Sequence, residues 1–278
     1  MSSTDSQRWT LATLEEWGAI LDNGTFQAFK GQSETPGLDH RQEKHLKGLQ
    51  PLDAPAGMKV ISSKWVYKKK INPDGTTRYK VRLVIRGFEE VEGRDYGETY
   101  APVSKLTTFR MLMSLAARHG WTIDHMDITT AFLNPKIDCN EVYMSLLPGM
   151  EWIDSKLYNQ GVRIVRLRKA LYGLRQAPML WFDEINGFLL SIGFKPSSAD
   201  TNLYIKGLVI LLLYVDDVII VDCSTPKDVY LGNLNPPAGS LKDAKESSAG
   251  AQIKELLTAR YKMTDLGETR RFLAFEVM

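Results

Sequence analysis

The stretch Leu208-Val209-Ile210-Leu211-Leu212-Leu213-Tyr214-Val215-Asp216-Asp217-Val218-Ile219-Ile220-Val221 decides how this chain is read. Two β-branched and aliphatic runs flank a short polar centre, so the stretch predicts two buried strands joined by a tight turn. Adjacent carboxylates between buried strands are costly, because like charges near an apolar wall repel and lose hydration. A divalent cation offsets that cost directly, and hard oxygen donors suit magnesium. The competing reading is an exposed hairpin tip that solvates its own two acids.

A further acid lies upstream, in Met126-Asp127-Ile128-Thr129-Thr130-Ala131-Phe132-Leu133. Asp127 ends an apolar run, Thr122–Ile128, that reads as a strand. A strand-end acid set beside acids at a strand turn makes a two-ion clamp for phosphoryl transfer, a reaction governed by positioning and charge neutralisation. Taken alone, Asp127 would serve equally well as a helix N-cap.

The 278 residues suit one large domain or two smaller ones, and a hydrophobic share of 44% is enough for a substantial core. The net charge is only +2, yet the charge is uneven. Lys59–Glu90 holds nine basic residues against three acidic ones, and Ser155–Arg175 holds six basic residues and no acidic one. Basic stripes on a near-neutral chain suggest a phosphate-lined partner, with solvated strand faces as the plainer reading. Two cysteines, Cys139 and Cys223, make neither a disulfide framework nor a zinc site. His40, His45 and His125 form no ligand set, and His125 falls two before Asp127, on the same strand face. Met1-Ser2-Ser3-Thr4-Asp5 is no signal peptide, and the longest apolar run is too short to span a membrane. The expectation is an intracellular protein, neither secreted nor membrane-bound.

Along the chain, Trp9–Leu21 has helical apolar spacing, and Lys30–Gln50 is polar and aperiodic. Val60–Ile71 and Arg78–Phe88 form a hairpin across Asn72-Pro73-Asp74-Gly75. Helices follow at Thr107–His119 and Pro178–Ile192, and strands at Thr122–Ile128, Glu141–Met144 and Val162–Leu167. Tyr204–Val221 is the hairpin with the two acids, Ile253–Lys262 a helix and Arg271–Val277 a strand. Elements mix without βαβ alternation, so the fold class is α+β. The expected division is 1–58 (helix and polar insert), 59–221 (core), 222–250 (a disordered insertion, rich in Pro, Gly and Ser) and 251–278 (a last helix and strand).

The chain resembles the reverse transcriptase of copia-type LTR retrotransposons. The matching text is Met126–Leu133, Lys169-Ala170-Leu171-Tyr172-Gly173-Leu174-Arg175-Gln176-Ala177-Pro178 and Tyr214–Asp217, with flanking blocks Ser63–Lys68, Tyr79–Val84, Tyr100–Val103 and Met263–Glu268. The resemblance implies a right-hand polymerase, here a fingers–palm fragment whose antiparallel palm sheet is backed by helices and whose thumb is missing. It implies RNA- and DNA-directed DNA synthesis with two Mg2+ ions, Mn2+ substituting. It assigns Asp127, Asp216 and Asp217 to catalysis, and these three with the Ile128 carbonyl to the metals. Lys70, Lys80, Arg82, Phe132, Gln176 and Tyr214 would contact the dNTP. Phe132 would exclude a 2′-hydroxyl and Arg82 would grip phosphate oxygens as a bidentate fork. Arg163, Arg166, Arg168 and Lys169 would follow the template or primer backbone. The implied partners are an RNA or DNA template with primer, dNTPs, and the protease, integrase and RNase H modules of a parent Pol polyprotein. The implied setting is the cytoplasm, within a virus-like particle of the parent element, or the nucleus. Two segments, Lys30–Gln50 and Asp222–Gly250, depart from the family pattern as insertions. Ala274 stands where the family has glycine. The alternative is a degenerate relic that keeps the fold and nucleic-acid binding without turnover.

Overall fold

The computed structural model describes residues 3–30, 52–53, 59–71, 75–137, 141–147, 149–224, 248–269, 271–272 and 275–276. The first half runs α1 (Ser3–Asp22), β1 (Phe26–Lys30), β2 (Leu52–Asp53), β3 (Val60–Ile61), β4 (Ser63–Ile71), β5 (Thr77–Ile85), α2 (Leu106–His119) and β6 (Thr122–Ile128). Next come β7 (Tyr143–Ser145), α3 (Met150–Ile153), α4 (Ser155–Asn159), β8 (Val162–Leu167), α5 (Ala177–Ser191) and β9 (Lys195–Pro196). The chain continues with β10 (Leu203–Lys206), β11 (Val209–Tyr214), β12 (Asp217–Asp222), α6 (Ala249–Arg260), β13 (Met263–Glu268), β14 (Arg271–Phe272) and β15 (Phe275–Glu276). The α+β expectation describes this mixture. Among the described residues, no helix is long and apolar enough to cross a membrane.

Two compact units share the chain. The first is Met1–Tyr100 with Phe132–Trp181, and the second is Ala101–Ala131 with Phe182–Met278. This replaces a single core over 59–221, because strand pairing, not chain order, gathers each unit.

In the first unit, β2-β1-β8-β7-β3 form one sheet and β4-β5 a separate hairpin. Gly75 takes a left-handed φ of 80° at the hairpin end, and residues 72–74 lie outside the described set. The N-terminal helix is longer than its apolar periodicity predicted and is no separate appendage. It lies against β5, with Trp9 edge-on to Tyr67 and Tyr79 at 5.3 and 4.6 Å. Asp5 accepts hydrogen bonds from Tyr79 and from Lys69. The aromatic side of the hairpin is thus covered, a contact that helical spacing alone does not encode. Strand β1 escaped the sequence reading for a related reason: its five residues gain their hydrogen bonds from β8, far along the chain.

In the second unit, β13-β6-β12-β11-β10-β9 form one antiparallel sheet. Phe109, Leu112 and Ala116 of α2 pack onto Leu203, Leu212, Ile219 and Val221 of that sheet. The run expected as one hairpin is three strands, since Gly207 adopts a left-handed φ of 56° and turns the chain between β10 and β11. β13 was not foreseen because its residues are mostly exposed and lack alternation. It is an edge strand whose register slips between Asp265 and Gly267. The insertion was expected over 222–250, and the structure describes both of its ends. Asp222 is buried at the end of β12, and 249–250 already belong to α6. Residues 225–247 lie outside the described set, as do 31–50 and Ala274.

Candidate active site

In the second unit, β6 and β12 are neighbours and Asp127 stands directly opposite Asp217. Alternation then defines one face. On β6 it carries Ile123, His125 and Asp127; on β12 it carries Val221, Ile219 and Asp217. The face is apolar where α2 packs and acidic at the strand end. Asp216 is tied to the same end, because its carbonyl accepts a 2.8 Å hydrogen bond from the Ile128 N–H. The turn itself is tight: Tyr214 pairs with Asp217, leaving Val215 and Asp216 to reverse the chain. Val215 pays with a φ of 58°, a conformation that a β-branched residue rarely adopts. Tyr214 rests against the α2-side apolar cluster.

His125 completes the acidic end. Its Nε2 lies 2.7 Å from Asp217 Oδ1, and the imidazole is largely buried. The sequence reading put His125 on the face of Asp127 but gave it no partner. Its two-residue spacing from Asp127 was the signal that could have found one. Among the described residues, no group of three His, Cys, Asp or Glu gathers closely enough to hold a metal by itself. Magnesium is commonly held by one or two carboxylates together with water and substrate phosphates. Asp127, Asp216, Asp217 and the Ile128 carbonyl offer oxygen donors, the kind that magnesium takes.

The cationic candidates belong to the first unit. The β4–β5 register pairs Lys70 with Arg78, Lys68 with Lys80, and Val66 with Arg82. Lys68, Lys70, Arg78, Lys80 and Arg82 therefore share one face of the hairpin. Lys69 is on the other face, bonded to Asp5. Arg82 lies with its Cζ 4.4 Å from the Tyr172 ring centroid, and its buried Nε has no hydrogen-bond partner among the described residues. Phe132 meets the same Tyr172 ring edge-on at 5.3 Å.

Gln176, expected beside the dNTP, is held within the first unit. Its side chain is 5% exposed, and its amide donates to the Asp95 carbonyl at 3.2 Å. The four cations over 163–169 each have their own local contact. Arg163 and Arg166 lie on β8, and Arg168 and Lys169 follow its end. Arg163 lies over the Tyr158 ring at 4.1 Å, Arg166 pairs with Glu141 at 3.0 Å, and Arg168 donates to Gln27 at 2.7 Å. Lys169 bridges to Lys136 through the backbone.

The family model described as reverse transcriptase (RNA-dependent DNA polymerase) matches residues 48–229. The retrovirus-related Pol polyprotein from transposon RE1 of Arabidopsis thaliana is 41% identical, over 60% of this chain and 11% of its own length. That from transposon TNT 1-94 of Nicotiana tabacum is 32% identical, over 82% of this chain and 15% of its own. The chain thus spans 11–15% of the length of these relatives. A solved foamy viral protease–reverse transcriptase in complex with double-stranded DNA aligns with a TM-score of 0.34 at 15% identity, covering 76% of this chain and 30% of that one.

Proposed function

The chain belongs to the reverse transcriptase (RNA-dependent DNA polymerase) family, in its copia-type form, and from that premise we propose that it extends a primer on an RNA or DNA template using dNTPs. In this reading the second unit is palm and the first unit carries the fingers hairpin. The observation that carries it is the pairing of Asp127 with Asp217 while Asp216 is bonded through its carbonyl to Ile128. Asp127 and the adjacent pair Asp216-Asp217, far apart in the chain, are held at one end of one sheet.

Asp127, Asp216 and the Ile128 carbonyl would hold the metal, with Asp217 as the supporting acid steadied by His125. A bound Mg2+ pair supplies neutralisation of the triphosphate and a more acidic primer hydroxyl. The hairpin face supports the substrate side of the proposal. Lys70 opposite Arg78 and Lys68 opposite Lys80 are like-charged cross-strand pairs, which destabilise a sheet unless an anion lies over them. Lys70, Lys80 and Arg82 would grip the triphosphate. Phe132 would close the space a 2′-hydroxyl needs. The remaining Pol modules would be partners within a longer polyprotein.

Primer extension by the purified chain with Mg2+ and dNTPs tests this. Wild type is expected to extend, and Asp216→Asn to lose incorporation while melting at the same or a slightly higher temperature without metal. Full extension by the variant would sink the assignment. Primer–template binding without any extension by wild type would favour the relic.

A further inference from the structure

Tyr172 sits between the two side chains on which nucleotide selection rests in the reading above. One face of its ring carries Arg82, whose Cζ is 4.4 Å from the centroid. Its ring also meets Phe132 in a near-perpendicular contact, 5.3 Å between centroids at 71°. Both geometries are attractive: a guanidinium over a ring face, and an edge-to-face aromatic pair.

The backbone under Tyr172 is fixed. Its carbonyl accepts a 2.9 Å hydrogen bond from the Ile85 N–H, which anchors it to β5. Gly173 has a φ of 97°, and a Cβ there would lie 2.1 Å from the Ile85 carbonyl oxygen. A Cβ on Gly87 would come equally close, 2.1 Å, to the Gly173 carbonyl oxygen. Two glycines thus let the Tyr172 loop and the end of β5 touch backbone to backbone. A ring mounted on so constrained a loop has little freedom to follow either neighbour.

We infer that Tyr172 is a positioning residue for sugar discrimination: its ring fixes Phe132 against the sugar and registers that wall to the phosphate-gripping Arg82. The inference rests on the nucleotide reading of Phe132 and Arg82. It adds that the two act as one unit through Tyr172, so discrimination is lost when the ring is lost even though Phe132 is intact.

The test uses the full chain with primer–template, and reads the ratio of rATP to dATP in both equilibrium binding and incorporation. Tyr172→Leu is expected to raise the ratio by about 5-fold, the scale of a lost aromatic contact. Tyr172→Phe should stay at the wild-type ratio, and Phe132→Ala with Tyr172→Leu should not exceed Phe132→Ala alone. If Phe132→Ala raises the ratio and Tyr172→Leu does not, the inference is overturned and the underlying reading stands. If Phe132→Ala leaves the ratio unchanged, or wild type binds neither nucleotide, that reading fails and takes the inference with it. Tyr172→Phe behaving like leucine would assign the effect to the hydroxyl and overturn the role of the ring. Thermal unfolding accompanies each variant, with Tyr172→Met replacing leucine if the latter does not fold. Loss of folding in both would mark Tyr172 as a packing residue and overturn the inference.

Discussion

Single residues carry the conflicts that this fold tolerates. Val215 accepts a left-handed backbone so that Tyr214 and Asp217 can pair, and Asp217 faces Asp127 with His125 hydrogen-bonded to its carboxylate. A quieter conflict lies at Glu90, which is buried and accepts from the Arg175 N–H at 2.9 Å. Burial holds its carboxyl above the usual range, outweighing that hydrogen bond, and the neighbouring Asp95 adds to the effect. The folded chain therefore keeps this proton to a higher pH than the unfolded chain does. Its contribution to stability declines as the pH rises from about 4.5, the ordinary value, through the raised one. Glu90→Gln keeps an acceptor for Arg175 and removes the charge. It is expected to be more stable than wild type by about 1 kcal/mol at neutral pH, with the difference shrinking below the ordinary carboxylate value. Denaturant unfolding at pH 4 and pH 7 checks this; an equal difference at both would show that the carboxyl does not titrate as argued.

At the scale of elements, the β4–β5 hairpin divides its labour by face. The aromatic face receives α1, and the opposite face gathers Lys68, Lys70, Arg78, Lys80 and Arg82. Lys80→Glu puts opposite charges across the Lys68 pair. It should stabilise the free protein by roughly 0.2–1 kcal/mol and weaken nucleotide binding, and added salt should erase the stability gain. A lower melting temperature with unchanged nucleotide affinity would contradict this use of the face. A second element-scale feature flanks residues 225–247, which lie outside the described set. Asp222 accepts from the Ser224 N–H at 2.8 Å and from the Gly250 N–H at 2.7 Å, so one carboxylate holds both ends. Gly250 has no room for a side chain, since a Cβ would lie 2.9 Å from Asp222 Oδ2. Replacing 226–247 with a short Gly-Ser linker should leave stability and any activity intact, because closure entropy changes by only about 0.6 kcal/mol per doubling of length. Collapse of the fold on that deletion would show the segment to be integral.

For the whole molecule, chain order and spatial order disagree. The first unit draws β1 and β3 from before residue 100 and β7 and β8 from after residue 131. The second takes β6 from 101–131 and its remaining sheet partners from after residue 181. A cut at residue 100 therefore leaves β1 without β8, and β3 without β7. Neither 1–100 nor 101–278 is expected to unfold cooperatively on its own, as measured by thermal circular dichroism. A sharp transition for 1–100 alone would show that its helix and hairpin suffice.

What the sequence determined by itself was local and periodic. The paired apolar runs around Asp216, the strand ending at Asp127, and β8 with its stated bounds were readable because alternation and turn residues act within a few positions. The acids were readable too, since charge amid apolar runs demands an explanation. Tertiary structure decided what depends on register. Lys69 and Lys70 are neighbours in sequence, yet one binds Asp5 and the other joins the cationic face. Gln176 turned inward to Asp95, and His125 found Asp217 across a strand pairing separated by 92 residues. A period of two assigns a side chain to a face but not to a partner. The partner follows from which strands pair and at what offset, and only long-range hydrogen bonding sets that.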